Sequence, residues 1–402
     1  MHPVPRHNIN LDQKEMVAVI TEILTGTVTA GPGDVAAFER EIASYHNVSQ
    51  AVAVSSGRAA QCAVMKAMNL APGSEVIVPS YSFFTVPGVV RALGHVPVFA
   101  PCDPGTFAID PARLESVITD RTSAVIVIHP FGQPAPVDQI VQICRRHGIH
   151  LIEDASQSIG ATLRQRRVGS FGHASCMSLV HGKNLMTFGG GVVLTDDDRL
   201  ASAIRSIVAR NRPEKSIETR KKALAGLANW ALTTKPGFAV GLLPPFWLLN
   251  FVSRERLDSI FVEKEAPFDP DSIRPLSPFQ ARLGMMQLGH LDARNAVRRH
   301  NAERLIRGLS DIDWMTLPEC MPGASCAFNA VPVRVANPTD VQRELLMHGI
   351  DTRADYMTVY DDHEAWKQAG EIFYLPNHPG MNDADIDAVI RQVRAIARPR
   401  KA

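Results

Sequence analysis

The stretch AVIVIHPFGQPAPVDQIVQICRRHGIHLIEDAS, residues 124–156, contains two apolar runs separated by an amphipathic segment. The runs AVIVIHP (124–130) and HLIEDAS (150–156) have the length and composition of buried strands. The segment VDQIVQICRRHG (137–148) has the apolar spacing of a helix and ends at a glycine. A strand, a helix and a second strand in this order favour a parallel β–α–β unit, so the stretch predicts an α/β fold.

Apolar runs of the same kind occur on both sides of this unit. They lie at residues 51–56, 75–80, 95–101, 174–180 and 190–195, and helical patterns such as RAAQCAVMKAMNL (58–70) alternate with them. This alternation predicts a mostly parallel seven-stranded sheet covered by helices on both faces. Ligands bind at the carboxyl ends of the strands in such sheets, so we expect functional residues directly after each run.

Length, charge and cysteine spacing narrow the function classes. The chain has 402 residues, with 42 basic and 41 acidic side chains, which predicts two lobes and argues against a nucleic-acid binder. The expected partners are small-molecule substrates or other proteins. The six cysteines lack CxxC spacing, so neither a metal site nor a disulfide framework is predicted. The first residues contain no apolar core of a secretory signal, and we expect a cytoplasmic protein.

Small and aromatic residues follow the first two runs. Ser56, Gly57 and Arg58 come at the start of a helix pattern, where backbone N–H groups and a cation can hold an anion. A serine N-cap followed by an exposed arginine explains the same residues equally well. Phe83 follows the second run and offers an aromatic face, although a single phenylalanine belongs to the core more often than to a cofactor site.

A carboxylate and a lysine follow later runs. Asp154 lies near the end of the fifth run. A buried carboxylate at this position requires a cation or several hydrogen bonds, unless it caps the next helix. Ser178 ends the sixth run and Lys183 follows it. A lone lysine usually extends to solvent, but a partly desolvated amine can form a Schiff base with an aldehyde. Together these residues are the parts needed to bind pyridoxal phosphate.

The order of these segments resembles that of the DegT/DnrJ/EryC1/StrS family, the sugar aminotransferases with the aspartate aminotransferase fold. The similarity covers nearly the whole chain. The segments that carry it are GPGDVAAFEREIASY (31–45), SSGRAA (55–60), GSEVIVPSYSFFT (73–85), DRTSAVIVIHPFGQPAPVD (120–138), LIEDASQSIGA (151–161), SLVHGKN (178–184), GGGVVLTDDD (189–198), QARLGMMQLGHLDARNAVRRHNAERL (280–305), HGIDTRADY (348–356) and YLPNHPGMNDADIDAVI (374–390).

The resemblance implies a fold-type-I pyridoxal-phosphate enzyme that acts as a homodimer. Residues 1–267 would form the large cofactor-binding domain, and residues 268–402 a smaller α+β domain that closes the site. The implied reaction moves an amino group from an amino acid, L-glutamate by resemblance, to a keto sugar on a nucleotide or to a keto cyclitol. Such reactions belong to polysaccharide or antibiotic biosynthesis.

The resemblance also implies a role for each matched residue. Lys183 matches the lysine that binds the cofactor covalently and then moves a proton between the substrate and the cofactor. Asp154 matches the acid that pairs with the pyridine nitrogen, and Gln157 the residue that contacts the phenolic oxygen. The residues expected to hold the phosphate or to stack on the ring are Ser56, Gly57, Arg58, Ser178 and Phe83.

Three positions differ from the family pattern, and a fourth residue, His181, bears on the reaction type. Arg58 replaces the usual threonine. Arg274 is one position out of register with the arginine that reaches the neighbouring subunit's phosphate. The segment that usually reads glycine–glutamate–glycine–glycine begins here with Phe188 and continues with three glycines (189–191). This difference is expected to change one wall of the pocket. His181 matters because a few relatives replace the lysine by histidine and become dehydratases. The dehydratase reaction, and a non-catalytic pyridoxal-phosphate-binding sensor or scaffold, remain as alternatives.

The region 213–266 is longer than the resemblance predicts and contains an apolar segment at 235–252. Its run from residue 237 to 252 is too short to span a bilayer and is interrupted by Pro244 and Pro245. A lid or a dimer contact is one explanation, and contact with a membrane surface, a partner protein or a greasy substrate is the other.

Overall fold

The computed structural model of the protein describes residues 2–8, 11–26, 32–252, 268–354, 357–360 and 372–396. Parts of four sequence features lie outside these residues. They are Gly31 of the first similar segment, residues 253–266 of the long region, positions 355–356 of the segment 348–356, and positions 361–364 of the stretch ADYMTVYDDHE (354–364), which lacks the tyrosine, proline and histidine arrangement that the resemblance implies.

The helices and strands alternate along the first half of the chain. The strands are β1 (Gln50–Val54), β2 (Glu75–Pro79), β3 (Tyr81–Ser82), β4 (Val96–Ala100), β5 (Thr122–Ile128), β6 (His150–Asp154), β7 (Thr162–Leu163), β8 (Arg166–Arg167), β9 (Ala174–Ser178), β10 (Gly191–Thr195), β11 (Met315–Thr316), β12 (Ala324–Ser325), β13 (Val331–Val335), β14 (Arg353–Ala354), β15 (Thr358–Val359) and β16 (Ile372–Leu375). The helices are α1 (Gln13–Thr25), α2 (Pro32–His46), α3 (Gly57–Met68), α4 (Thr85–Ala92), α5 (Pro111–Leu114), α6 (Val137–His147), α7 (Asp198–Val208), α8 (Ser216–Thr233), α9 (Lys235–Gly237), a π-helix (Phe238–Leu242), α10 (Leu243–Val252), α11 (Pro278–Leu309), α12 (Pro338–Met347) and α13 (Asp383–Ala395), with short 3₁₀ turns at Glu115–Val117 and Pro130–Gly132.

The large sheet confirms the predicted fold class. Its seven strands in the described residues have the order β1-β10-β9-β6-β5-β2-β4, and β10 alone runs antiparallel to its neighbours. All seven apolar runs of the sequence form these strands. Strands β5 and β6 are parallel and α6 connects them, as residues 124–156 predict. The chain leaves α6 through Gly148, whose φ of 64° is the left-handed conformation that glycine adopts easily.

Alternate residues of the central strands pack on opposite faces of the sheet. Val125 and Val127 belong to one hydrophobic core, and Ala124 and Ile126 belong to the other. Because both faces are covered, the strands are apolar throughout instead of alternating with polar residues. The carboxyl ends of β6 and β9 therefore open at an edge of the sheet between two packed layers.

A second sheet of four strands follows the long helix α11. Its order is β11-β13-β16-β14. The first half of α11 packs on the core of the large sheet through Leu291, and its last turns pack on the small sheet through Leu305 and Leu309. The N-terminal segment also contacts this region, because Val4 forms a parallel bridge with Ile350.

The long region between the two sheets is helical from residue 216 to residue 252, apart from a bend at Thr234. Phe246, Trp247 and Leu249 pack around Phe238, Leu243 and Leu346 instead of lying exposed. The indole nitrogen of Trp247 donates a hydrogen bond of 3.3 Å to the carbonyl of Leu346. Among residues 246–249 of the apolar segment, only Leu248 is exposed, at 64 % of its surface.

No helix in the described ranges combines the length and the apolar character that crossing a membrane requires. Val240 and Val252 are nevertheless 80 % and 70 % exposed, so this segment presents separate apolar side chains to its surroundings.

Candidate active site

A cavity of about 290 Å³ lies where β6 and β9 end and α3 begins. All eight residues that the sequence marks for cofactor binding line it. They are Ser56, Gly57, Arg58, Phe83, Asp154, Gln157, Ser178 and Lys183. The structure therefore brings the predicted set together at the carboxyl edge of the sheet, as the rule for parallel sheets requires.

The turn before α3 places a helix N-terminus against the cavity. Ser56 caps the helix, and its hydroxyl accepts a hydrogen bond of 3.1 Å from the backbone N–H of Ala59. A Cβ atom on Gly57 would lie 2.7 Å from the Cβ of Ser178, so only glycine allows the helix to approach β9 this closely. Ser56 is thus an N-cap, as one interpretation of the sequence expects, and the turn that it begins also lines the cavity.

Arg58 lies between the cofactor-sized cavity and an outer one. Its guanidinium carbon is 5.3 Å from the ring centre of Phe268, a cation–π distance. The outer cavity, of about 370 Å³, is also lined by Lys222 and Arg274. Arg274 forms an ion pair of 3.6 Å with Glu218. Arg58 is thus held against Phe268 at the border of the two cavities and is only partly exposed to solvent.

Asp154 accepts hydrogen bonds from two neutral donors. Its Oδ2 atom accepts 2.8 Å from the side-chain amide of Gln61, and its Oδ1 atom accepts 2.9 Å from the backbone N–H of Ser156. The carboxylate is only 8 % exposed. Because neither donor is charged, the arrangement leaves the negative charge available to a cation placed in the cavity. Sequence reasoning missed Gln61, although a glutamine among the small and apolar residues of α3 is a usable signal.

The end of β6 is held in place by Glu153, the residue before Asp154. Glu153 is fully buried and accepts hydrogen bonds of 2.7, 2.6 and 2.7 Å from the backbone N–H groups of Gly169, Phe171 and Gly172. His129 lies 3.1 Å from the same carboxylate. These bonds satisfy the charge of Glu153 and hold the end of β6 in place.

Gln157 and Phe83 complete the walls of the cavity. The side-chain oxygen of Gln157 accepts a hydrogen bond of 2.9 Å from the backbone N–H of Phe131, which fixes the orientation of the amide. The ring of Phe83 lies 4.4 Å from that of Phe84, centre to centre. Both aromatic rings line the cavity, so Phe83 is a wall residue and not part of the main core.

Lys183 lies in the loop between β9 and β10, where the smaller cavity meets a larger one. The larger cavity has a volume of about 590 Å³ and shares Gln157, Val180 and Lys183 with the smaller. The lysine is half-buried. An amine at this junction can face a cofactor on one side and a substrate on the other.

Three distant parts of the chain line the larger cavity. Sequence reasoning did not place them together, because no local pattern connects the N-terminus, the long region and the second sheet. They contribute Arg6 and His7; Asn229, Thr233, Phe238, Leu242 and Phe246; and Asn329, Asp351, Arg353 and Tyr374. One wall of this cavity is therefore polar and rich in cations, and another is apolar.

His181 lines the larger cavity and is absent from the lining of the smaller one. Burial, followed by the nearby charge of Arg6, lowers the pKa of His181 to about 4. Its ring lies 5.5 Å from that of His7, and Nδ1 has no hydrogen-bond partner in the part of the chain that the structure describes. The imidazole is thus neutral at physiological pH. His181 is two residues before Lys183 in the chain, but only Lys183 lines both the smaller and the larger cavity.

The segment that begins at Phe188 does not form a wall of the smaller or the larger cavity. The Phe188 ring packs instead against α8, where a Cβ on Gly226 would lie 2.2 Å from the ring. The sequence-based expectation that this substitution changes the pocket wall is therefore wrong for these two cavities. Phe188 belongs to the apolar cluster in which α8 packs against its neighbours through Ala223 and Leu227.

A family model described as the DegT/DnrJ/EryC1/StrS aminotransferase family matches residues 10–229 and 274–394. The chain belongs to the DegT/DnrJ/EryC1/StrS aminotransferase family. This confirms the resemblance seen in the sequence and the assignment as an aminotransferase. Residues 230–273, between the two matched parts, contain α9, the π-helix and α10.

Individual members of the family align over most of the chain. The pleiotropic regulatory protein of Geobacillus stearothermophilus is 37 % identical over 96 % of this chain and 95 % of its own length. The dTDP-3-amino-3,4,6-trideoxy-alpha-D-glucose transaminase of Streptomyces venezuelae is 30 % identical over 85 % of this chain and 78 % of its own. The crystal structure of S. venezuelae DesV with a ketimine intermediate superposes with a TM-score of 0.73, at 27 % identity over 95 % of this chain and 94 % of that one.

Proposed function

We propose that the protein is a pyridoxal-phosphate-dependent aminotransferase that moves an amino group from an amino acid, L-glutamate by resemblance, to a keto acceptor. The observation that carries this proposal is the position of Lys183 at the junction of two cavities. One is lined by all the residues expected to hold the cofactor, and the other has room for a substrate.

The residues of the smaller cavity fit the cofactor. The helix N-terminus behind Gly57, together with Arg58 and Ser178, suits a phosphate group. Asp154, held by two neutral donors, suits a protonated pyridine nitrogen. Pyridoxal phosphate, when bound, supplies an electron sink for the substrate carbanion. Asp154 keeps that sink effective by favouring the charged ring.

Lys183 performs the proton transfer in this proposal. Its amine takes the proton from the α-carbon of the donor and later returns a proton to the carbon that becomes aminated. Gln157 orients the ring from the side, and Phe83 excludes water from one face of it. The shared lining of the two cavities allows a single lysine to serve both half-reactions.

The larger cavity supports a keto sugar on a nucleotide, or a keto cyclitol, as the acceptor. Arg6 and Arg353 can hold phosphate groups of a nucleotide by charge-assisted hydrogen bonds. Phe238, Leu242 and Phe246 offer an apolar wall to a base or a deoxy sugar. The transaminase relative from S. venezuelae carries a dTDP-linked amino sugar in its name, which supports the same class.

The proposal also covers the assembly, the domains and the location of the protein. We infer a homodimer in which residues 1–267 hold the cofactor and residues 268–402 close the site, and a cytoplasmic location. Contact of residues 235–252 with a second subunit, a partner protein or a membrane surface is supported by the exposed Val240, Leu248 and Val252.

Two other functions have weaker support. A dehydratase that uses His181 as its base is disfavoured because this ring does not line the cofactor-sized cavity, whereas Lys183 does. A non-catalytic sensor or scaffold has no use for a carboxylate and an amine retained at one cavity.

The first test is the visible absorption of the purified protein before and after addition of L-glutamate. We expect a yellow band that glutamate bleaches, and Lys183→Ala should lack the covalent band. Lys221→Ala, which changes an exposed lysine of α8, is the matched control and should behave as the wild type. A band that no amino acid bleaches would overturn the aminotransferase proposal.

The acceptor class is tested by running the second half-reaction backwards with stable amines. A dTDP-linked amino sugar, an aminocyclitol and a hydrophobic amine are each added to the yellow enzyme. The amine that bleaches the band fastest identifies the class, and we expect the nucleotide-linked amino sugar. If only the hydrophobic amine reacts, the sugar assignment is wrong although the aminotransferase assignment stands.

A further inference from the structure

The cysteines of the described residues fall into two groups. Cys62, Cys102, Cys144 and Cys176 are buried in the cores of the large sheet. Cys320 is exposed, and Cys326 is buried directly beside it. Their sulfur atoms are 2.8 Å apart, and six positions separate the two residues in the chain.

This pair needs little movement to form a disulfide. An S–S bond is about 2.05 Å long, so the sulfur atoms would approach by less than about one ångström. Cys326 directly follows β12, whose residues Ala324 and Ser325 pair with Leu163 and Thr162. Cys320 lies in the irregular segment between β11 and β12. The exposed partner therefore moves, and the anchored partner stays.

We propose that Cys320 and Cys326 form a reversible oxidation site that a peroxide converts to an intramolecular disulfide. The Cys320 thiolate attacks one peroxide oxygen, the O–O bond breaks, and hydroxide leaves and is protonated to water. Cys326 then attacks the resulting sulfenic sulfur and loses its proton while the second oxygen leaves as water. Two thiols and one hydrogen peroxide give one disulfide and two waters, and the peroxide is the only oxidant.

The electrostatics agree with this division of roles. The hydrogen bond from Cys326 lowers the pKa of the Cys320 thiol, so the exposed sulfur is the better nucleophile. Burial raises the pKa of Cys62 and Cys144 to about 12, and it also raises that of Cys176. These thiols are both inaccessible and protonated, so they do not compete for the oxidant.

The surroundings of Cys326 indicate that oxidation leaves the larger cavity intact. The next residue, Ala327, donates its N–H to the carbonyl of Gly132 over 2.7 Å, and its own carbonyl accepts 3.1 Å from the side chain of Asn184. These two bonds hold the chain that leads to Asn329 in the cavity wall. The disulfide therefore protects an exposed thiol from irreversible oxidation and does not switch the enzyme off.

The test is oxidation of the reduced holoenzyme with an equimolar amount of hydrogen peroxide, followed by tryptic digestion without reductant. Both cysteines lie in the single tryptic peptide 308–334, which contains no other cysteine. We expect this peptide to lose two hydrogens and to regain them with dithiothreitol. The glutamate half-reaction of the oxidised enzyme should stay within about twofold of the reduced rate. A larger loss would overturn the protective role.

Single variants separate the two thiols. Cys326→Ser should accumulate sulfenic acid on Cys320 that a dimedone probe traps, and with excess peroxide it should proceed to sulfinic acid. Cys320→Ser should leave the peptide unoxidised, and Cys144→Ser should oxidise like the wild type. Sulfinic acid on Cys320 in the wild type at equimolar peroxide, or an intermolecular disulfide, would refute the proposal. Mass spectrometry of the peptide gives this result whether or not the enzyme is active.

Discussion

The side-chain amide of Gln61 donates a hydrogen bond of 2.8 Å to Oδ2 of Asp154, and the two side chains are only 6 % and 8 % exposed. Gln61 lies one helical turn after Gly57 on α3, whose N-terminal turn lines the smaller cavity. One helix therefore provides both a turn that lines the smaller cavity and a donor for the carboxylate. This connection fixes the distance between that turn and Asp154.

Replacing Gln61 should weaken cofactor binding in a graded order. Gln61→Leu removes the donor, and a hydrogen bond to a charged group contributes about 1.5–3 kcal/mol, so we expect the affinity for pyridoxal phosphate to fall about tenfold or more. Gln61→Glu adds a second negative charge beside Asp154 and should reduce the affinity further. Titration of the apoprotein with the cofactor measures both. Equal affinities for the three proteins would show that Gln61 does not support Asp154.

Gly57→Ala should disturb the turn that approaches β9. The added Cβ would lie 2.7 Å from the Cβ of Ser178, so the helix must shift, at a cost of about 1–3 kcal/mol. We expect a lower melting temperature and weaker cofactor binding. Gly33→Ala is the matched control because a Cβ there contacts nothing within 4 Å and the residue lies in the first turn of α2. It should leave both quantities unchanged.

The sheet and the smaller cavity could be predicted from the sequence because both follow from local patterns. Each apolar run formed a strand, and the carboxyl-end rule then placed the residues after each run at one edge. Asp154 and Ser178 are the last residues of β6 and β9, and Lys183 follows β9 in the chain. Gln61 was missed because helix periodicity does not reveal which strand end a side chain meets.

The larger cavity was beyond sequence reasoning for a physical reason. Arg6, Phe246 and Arg353 come from segments more than one hundred residues apart, and only tertiary packing brings them together. The burial of Phe246 and Trp247 could not be predicted, because composition does not show that these side chains pack against Leu346. Phe188 was similarly misplaced, since its contact with Gly226 depends on how α8 crosses the loop.

Stability should fall when the pH is lowered from about 6.5 to 4. Burial lowers the pKa of His378 to about 4, against an unfolded value of about 6.5, although its hydrogen bond to the carbonyl of Pro5 opposes this effect. In this window the unfolded chain takes up a proton that the folded chain does not, so the free energy of unfolding decreases. This linkage lowers the free energy of unfolding by about 2 kcal/mol at pH 5, relative to its value above pH 6.5.

Melting temperatures across that pH range measure the effect. His378→Gln keeps a donor toward the carbonyl of Pro5 but does not titrate, so its stability should depend less on pH than that of the wild type. His300→Gln, at a side chain that is 61 % exposed, is the control and should retain the wild-type slope. Parallel pH profiles for all three proteins would exclude His378 as a source of the acid sensitivity.

Phe246→Ala should slow the acceptor half-reaction and leave the donor half-reaction unchanged. The donor reaction is expected from the family resemblance, and α10, which carries Phe246, lies outside the parts that the family model matches. Burying an aromatic side chain contributes about 1.5–3 kcal/mol, so loss of part of that contact should reduce the rate with the dTDP-linked amino sugar about tenfold. Bleaching by L-glutamate should stay within about twofold.

Leu248→Ala distinguishes this effect from a general loosening of the long region. Leu248 lies two residues away on the same helix but is 64 % exposed and is absent from the cavity lining. It should leave both half-reactions unchanged. If Phe246→Ala and Leu248→Ala slow both half-reactions equally, the region acts by holding the fold and not by contacting the acceptor. A selective loss in Phe246→Ala alone, at an unchanged melting temperature, would establish that this region forms a wall of the acceptor pocket.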